Sequence, residues 1–165
     1  MSNDIGYFEN KTHPKDFTLK RTIQAPRKLV FECLTTPEHL VCFWAPKPLT
    51  THDCKVDLRP GGKWTYTFRS PEGQEYRAQH VYREIESFQK LIMDGSGLGL
   101  DDKALFTIRQ TILLQDKGLV TELKIDIKVL EVHPGSEPYL EGAYQGFNMT
   151  LDNFQAYLVS RFSTS

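Results

Sequence analysis

From Leu140 onward an apolar residue returns with a fixed rhythm: Leu140, Tyr144, Phe147, Leu151, Phe154 and Leu158 follow one another at spacings of four, three, four, three and four. This spacing gathers six side chains on one side of a helix of about six turns, whereas a strand would scatter them over two faces. Ser136 is placed to cap the helix, and Pro138 is tolerated in its first turn. An apolar stripe of that length has to be covered. The rest of the chain must therefore supply an apolar surface of matching extent.

Strands supply it. Residues 17–24 alternate Phe17, Leu19 and Ile23 with polar neighbours and read as a first strand. Two short helices follow. "APRKLVFECLT" opens at Pro26 and gathers Val30, Phe31 and Leu34, while "TPEHLVCFW" offers Thr36 as cap, Pro37 as opening residue and Leu40, Phe43 and Trp44 at helical spacing. Pro46 and Pro48 stop the second helix, and 49–58 returns to extended chain. Pro60-Gly61-Gly62 has the fixed and the permissive φ that a tight reversal needs, and "SPEG" at 70–73 marks another, so the flanking runs are expected to be antiparallel neighbours. Beyond it, Tyr76, Ala78, His80 and Tyr82 fall on one strand face and Arg77, Gln79, Val81 and Arg83 on the other. Residues 89–94 form a short strand, and 103–115 and 119–132 are long alternating runs joined at "QDKG". "DGSGLGLDD", 94–102, reads as a mobile loop between strands, because no helix follows to make it a phosphate cradle. The sum is an α+β chain: a curved antiparallel sheet of about seven strands around one long C-terminal helix, with two short helices after the first strand.

Composition narrows the partners. At 165 residues, 39% hydrophobic and 25% charged, the chain is sized for one domain. A net charge of -1 gives no general attraction to a phosphate backbone, which argues against nucleic acid. No apolar run approaches the roughly 18 residues of a membrane span. "MSNDIGYFENKTHPKD" lacks the basic-then-apolar order of a signal peptide and reads as a flexible leader, 1–16, ahead of a single domain, 17–165, in a cytoplasmic protein. Cys33, Cys42 and Cys54 are odd in number and form no CxxC pair, as fits a reducing compartment. His39, Cys42, His52 and Cys54 would be the four ligands of a zinc site, but their spacing is looser than the paired knuckles of structural zinc. Neither a metal nor a cofactor is assigned.

Five words of the sequence occur in an informative order. They are "APRKLVFECLTTPEHL" followed by Trp44, "DLRPGG.W" across 57–64, "SPEG", "YREI" at 82–85, and "GF...L..F..YL" at 146–158. With the order strand, two short helices, six strands and long helix, the chain resembles the helix-grip fold of the START-like (SRPBCC, Bet v 1-like) superfamily. The five words resemble, within it, the AHSA-type family, named for the C-terminal domain of the activator of the heat-shock protein ninety ATPase. Phe147 stands where that family often has Trp, and Cys42-Phe43 replaces more typical polar and aromatic residues before Trp44. The resemblance implies an apolar cavity between sheet and helix, which the superfamily uses for lipids, sterols, polyketides or plant hormones and sometimes for cyclisation. It equally implies, through the family's name, a heat-shock chaperone as partner and a part in the stress response.

The candidate residues follow from both lines. Trp64, Tyr66 and Phe68 alternate along one strand, as sheet core or as one wall of a cavity. The hydroxyls of Tyr66, Tyr76 and Tyr82 need partners if buried, and a wet or liganded cavity supplies these better than a dry core. His80, in phase with Tyr76 and Tyr82, is either a satisfied core histidine or the group that orients a ligand. Trp44 ends the second helix, and Gly146, Phe147 and Leu151 lie along or beside the stripe of the long helix, where Gly146 would leave room for a ligand. Asp57 and Arg59, two apart, are read as an ion pair that fixes the hairpin together with Gly61 and Gly62. No catalytic residue is assigned: there is no nucleophile elbow and no HExxH, and His80, Tyr66 and Glu84 are the acid–base set a cyclase would draw on. The leading expectation is a domain that binds a small apolar or amphipathic molecule. A chaperone cofactor or protein-interaction domain, and a cyclase-type enzyme using the same cavity, are the alternatives.

Overall fold

In the computed structural model, which describes residues 16–162, the long alternating runs pair into one sheet. Its strands are β1 (Phe17–Ile23), β2 (Thr50–Val56), β3 (Lys63–Arg69), β4 (Glu75–Glu86), β5 (Lys90–Leu98), β6 (Ala104–Asp116) and β7 (Thr121–Val132). Their order across the sheet is β1-β7-β6-β5-β4-β3-β2, antiparallel throughout. Strands β2 to β7 form a meander, and β1 joins the far edge beside β7, so the first and last strands are neighbours. Two short helices, α1 (Arg27–Thr35) and α2 (Pro37–Phe43), cross between β1 and β2. The C-terminal segment holds α3 (Pro138–Glu141) and α4 (Ala143–Phe162). Residues 1–15 of the expected leader lie outside the described residues.

The alternation seen in sequence is the alternation of burial. Leu123, Ile125 and Ile127 of β7 and Ile108, Ile112 and Leu114 of β6 face inward and are buried, as are Leu91 and Met93 of β5. Leu151, Phe154 and Leu158 of α4 close over them in the same core. Phe154 stacks on Phe43 of α2, ring centres 4.5 Å apart, and joins the helix layer to α4. Arg21 of β1 holds the middle of α4 with an ion pair to Asp152 at 2.9 Å and a hydrogen bond donated to Asn148 Oδ1 at 2.9 Å. On the outer face, Asp94 accepts from both Arg83 (2.8 Å) and Arg109 (2.7 Å), pinning β4, β5 and β6 together.

Several expectations are corrected. Residues 94–98 are strand rather than loop: β5 runs to Leu98, and the turn is confined to 99–103. Its glycines make room instead of breaking the strand. A Cβ on Gly95 would lie 2.7 Å from the His80 ring, and one on Gly97 would lie 2.7 Å from the Phe106 ring. The C-terminal helix is interrupted at Gly142, which ends α3 before α4 begins. Pro26 stands one residue before α1, and its carbonyl accepts the Val30 N–H. Thr36 makes no side-chain cap on α2, and Glu137 rather than Ser136 precedes α3. Both helix starts are instead fixed by proline at the first position, where its missing N–H costs nothing.

Candidate functional site

The aromatic strand β3 faces inward beside β4, with Trp64 opposite His80 and Tyr66 opposite Ala78. Trp44, just past α2, lies edge-on to Trp64 with ring centres 4.9 Å apart, and its carbonyl accepts the Thr51 hydroxyl. His80 stacks on Trp64 at 4.2 Å. A chain of polar groups threads this aromatic cluster. The Trp44 indole N–H donates to the Tyr66 hydroxyl oxygen at 3.1 Å, the Tyr66 hydroxyl lies 3.0 Å from His80 Nε2, and His80 Nδ1 lies 3.4 Å from the Gln110 amide nitrogen.

Burial sets the protonation of this chain. It lowers the pKa of His80 to about 3, so the imidazole is neutral at physiological pH. Burial likewise raises the pKa of Tyr66, against a smaller lowering by the Trp44 N–H, and keeps it a phenol. The cluster therefore orients by neutral hydrogen bonds and carries no charge. Three buried polar atoms near it have no hydrogen-bond partner among the described residues: Trp64 Nε1, Tyr82 Oη and Gln110 Oε1. The Trp64 N–H belongs beside Cys54, whose thiol pKa burial raises and the indole partly lowers.

The cluster is packed at depth and looser at one end. Trp44, Trp64, Tyr66, His80, Tyr82 and Leu151 are buried, while Phe68, Ala78, Phe106, Val132 and Phe147 are half-buried. Phe68 continues the β3 row 5.0 Å from the Tyr66 ring, Phe147 of α4 reaches the Trp44 ring at 6.1 Å, and Phe106 stacks on Tyr139 of α3 at 6.4 Å. The half-buried rings thus lie at the end of β3 (Phe68), the start of β6 (Phe106) and the first half of α4 (Phe147). Two surface grooves of about 610 and 430 Å³ lie elsewhere, lined mainly by outward-facing side chains such as Lys20, Lys124, Thr18 and Arg109.

The remaining candidates separate. Tyr76 shares the inward phase but stands at the open end of β4, 39% exposed, with its hydroxyl donating to Gln74. Glu84 is turned out of the interior by a β-bulge between Tyr82 and Glu84, and pairs with Lys90 at 2.7 Å on the surface. Gly146 faces Pro46, where an added Cβ would make an ordinary contact at 3.7 Å. Arg59 Nε donates to Asp57 Oδ2 at 2.9 Å on the exposed hairpin. Gly61 takes φ 82°, and a Cβ on Gly62 would collide with the Asp57 carbonyl. Gly61 and Gly62 also exchange backbone hydrogen bonds with Tyr82, tying this hairpin to β4. His39 shares a hydrogen bond with Tyr157 and His52 one with Thr50; no three possible metal ligands converge among the described residues. Gln110 was missed by sequence reading. Its signal was there: a polar residue at an inward position between Ile108 and Ile112.

Residues 24–159 match the family described as Activator of Hsp90 ATPase homolog 1-like protein. The chain belongs to this family. Solved structures of similar fold agree. A protein from Nitrosomonas europaea is 28% identical over 90% of this chain and 97% of its own, with a TM-score of 0.73. The AHSA1 protein from Silicibacter pomeroyi is 18% identical over 88% and 99%, TM-score 0.75, and a protein from Arthrobacter aurescens 18% over 89% and 87%, TM-score 0.79. No curated protein matches the sequence. As a member of the Activator of Hsp90 ATPase homolog 1-like family, the chain has the START-like helix-grip architecture, and among its described residues no helix is long and apolar enough to cross a membrane.

Proposed function

We propose that this domain binds a small, largely apolar molecule at the looser end of the interior, between α4 and the ends of β3 to β6. One observation carries the reading. Buried Tyr82 Oη and Gln110 Oε1 lack partners among the described residues, and buried polar atoms are nearly always satisfied by protein, water or ligand. The rings of Phe68, Phe106 and Phe147 supply apolar contact, and the Trp44–Tyr66–His80 chain supplies orientation. Both tryptophans of the chain, Trp44 and Trp64, lie in the cluster, so their fluorescence reports on it directly. Titration with an uncharged apolar dye, together with native mass spectrometry of the purified protein, is expected to quench this fluorescence and to reveal a bound small molecule. No quenching and no added mass would sink the reading.

The family description supports a second reading, contact with a heat-shock chaperone. Stimulation of a chaperone ATPase by near-stoichiometric amounts of this chain would establish it. For a cyclase reading, Glu84 is on the outer surface, which leaves neutral His80 and un-ionised Tyr66, in hydrogen-bond contact, as the acid–base candidates.

A further inference from the structure

The proton count along the buried chain does not close. Trp44 has only a donor, so the Tyr66 oxygen accepts from it. Suppose Tyr66 then donates to His80 Nε2. A neutral His80 carries its proton on Nδ1, the Gln110 amide must turn its oxygen toward that N–H, and its NH2 group is left unpaired. Suppose instead that His80 Nε2–H donates to Tyr66. Nδ1 now accepts from the Gln110 NH2, and both Gln110 Oε1 and the Tyr66 hydroxyl proton are left over. Either way one end of the Gln110 amide, on a residue 2% exposed, has no partner in the protein.

The fold builds this amide into place. Gln110 lies in a cross-strand row with Met93 and Tyr82, whose hydroxyl is also unpaired. Gly95, opposite His80, lets the His80 and Gln110 side chains close over it and meet: a Cβ there would lie 2.7 Å from His80 Nδ1 and 2.9 Å from Gln110 Nε2. The surroundings hold no free charge. The cluster contains no Lys, Arg, Asp or Glu, and inward-pointing Arg21 is taken up by Asp152 and Asn148. A charged group placed here would be buried without a counter-charge, at a cost that excludes it.

Resting on the binding reading above, we infer that Gln110 is the polar anchor of the interior site, and that its ligand is an uncharged, ring-bearing molecule whose single hydroxyl or N–H group bonds to the Gln110 amide. An amide matches such a group in either of its flipped orientations, because a hydroxyl both donates and accepts.

Three probes of similar size test this by NMR titration of the full chain: phenol, toluene and benzoate. Phenol and toluene differ in the hydroxyl, and benzoate adds a charge. In the Gln110→Met variant, which keeps the shape and removes the amide, the phenol-to-toluene affinity ratio is expected to fall about tenfold. Benzoate is expected to bind neither protein. An unchanged ratio, or benzoate binding on a par with phenol, overturns the assignment of Gln110 while leaving a binding site in place. Failure of both phenol and toluene to bind the unmodified chain overturns the assignment together with the reading it rests on. If Gln110→Met does not fold, nuclear Overhauser contacts between the Gln110 amide protons and bound phenol decide the matter in the unmodified chain, and their absence overturns the assignment.

Discussion

His80 is carried by burial far from its behaviour in water. It is stacked on Trp64, bonded to Tyr66, and held neutral down to a pKa of about 3. An unfolded chain takes up this proton below about pH 6.5. Between pH 6.5 and 3 the unfolded state therefore binds more protons than the folded one. The stabilisation is complete above pH 6.5 and is lost progressively as pH falls toward 3. At pH 4.5 the loss from this one group is about 2–3 kcal/mol. Urea midpoints of the unmodified protein and of His80→Gln, compared at pH 7 and pH 4.5, should show the larger fall in the unmodified protein. Parallel falls would mean that acid sensitivity comes from other groups.

Helix α4 is held differently along its length. Its second half carries Leu151, Phe154 and Leu158 in the core, with Asn153 donating to the Ala45 carbonyl at 2.7 Å. Its first half holds Gly146, half-buried Phe147 and exposed Tyr144 and Met149, anchored by Arg21 at Asn148 and by ring contacts to Phe17. Local opening follows the density of buried apolar contact. Amide exchange is therefore expected to be faster over 144–149 than over 151–158. Gly146→Ala should slow it, adding about 0.5–1 kcal/mol of helix stability, because the new methyl meets Pro46 at an ordinary distance. Equal protection along α4 would show that its two halves are held alike. Loss of probe affinity in Gly146→Ala would show that this position borders the ligand after all.

For the whole molecule, α4 is the only cover of the sheet's inner face among the described elements apart from α1 to α3. Burial of Leu151, Phe154 and Leu158 is worth about 1.5–3 kcal/mol each, which together approaches the total stability of about 5–15 kcal/mol expected of a single domain. A chain ending at Glu141 is expected to lose its cooperative urea transition and to bind an apolar dye all over its exposed inner face. A truncated chain with a sharp transition near that of the full chain would show that the sheet and the short helices form a core without α4.

The periods in the sequence were sufficient to determine most of the elements and their faces, but not the run of β5 through 94–98 or the break at Gly142. Apolar spacing of three and four made a helix, strict alternation at Leu123, Ile125 and Ile127 made a half-buried strand, and Pro-Gly-Gly made the reversal at Gly61 and Gly62. These signals are local, because backbone geometry sets them within a few residues. The arrangement of the interior was legible only in part. Trp44, Trp64, Tyr66 and His80 were placed on the right faces, but a bulge after Tyr82 moved Glu84 outward, and Tyr76 fell at an open strand end. Gln110 meets His80 only because register sets them diagonally across Gly95, which has no side chain to part them. That contact joins residues thirty apart in sequence, and it exists only once three strands have paired in one register. No period along a single strand encodes it, so the tertiary structure alone decided which polar groups share the interior and which of them are left without a partner.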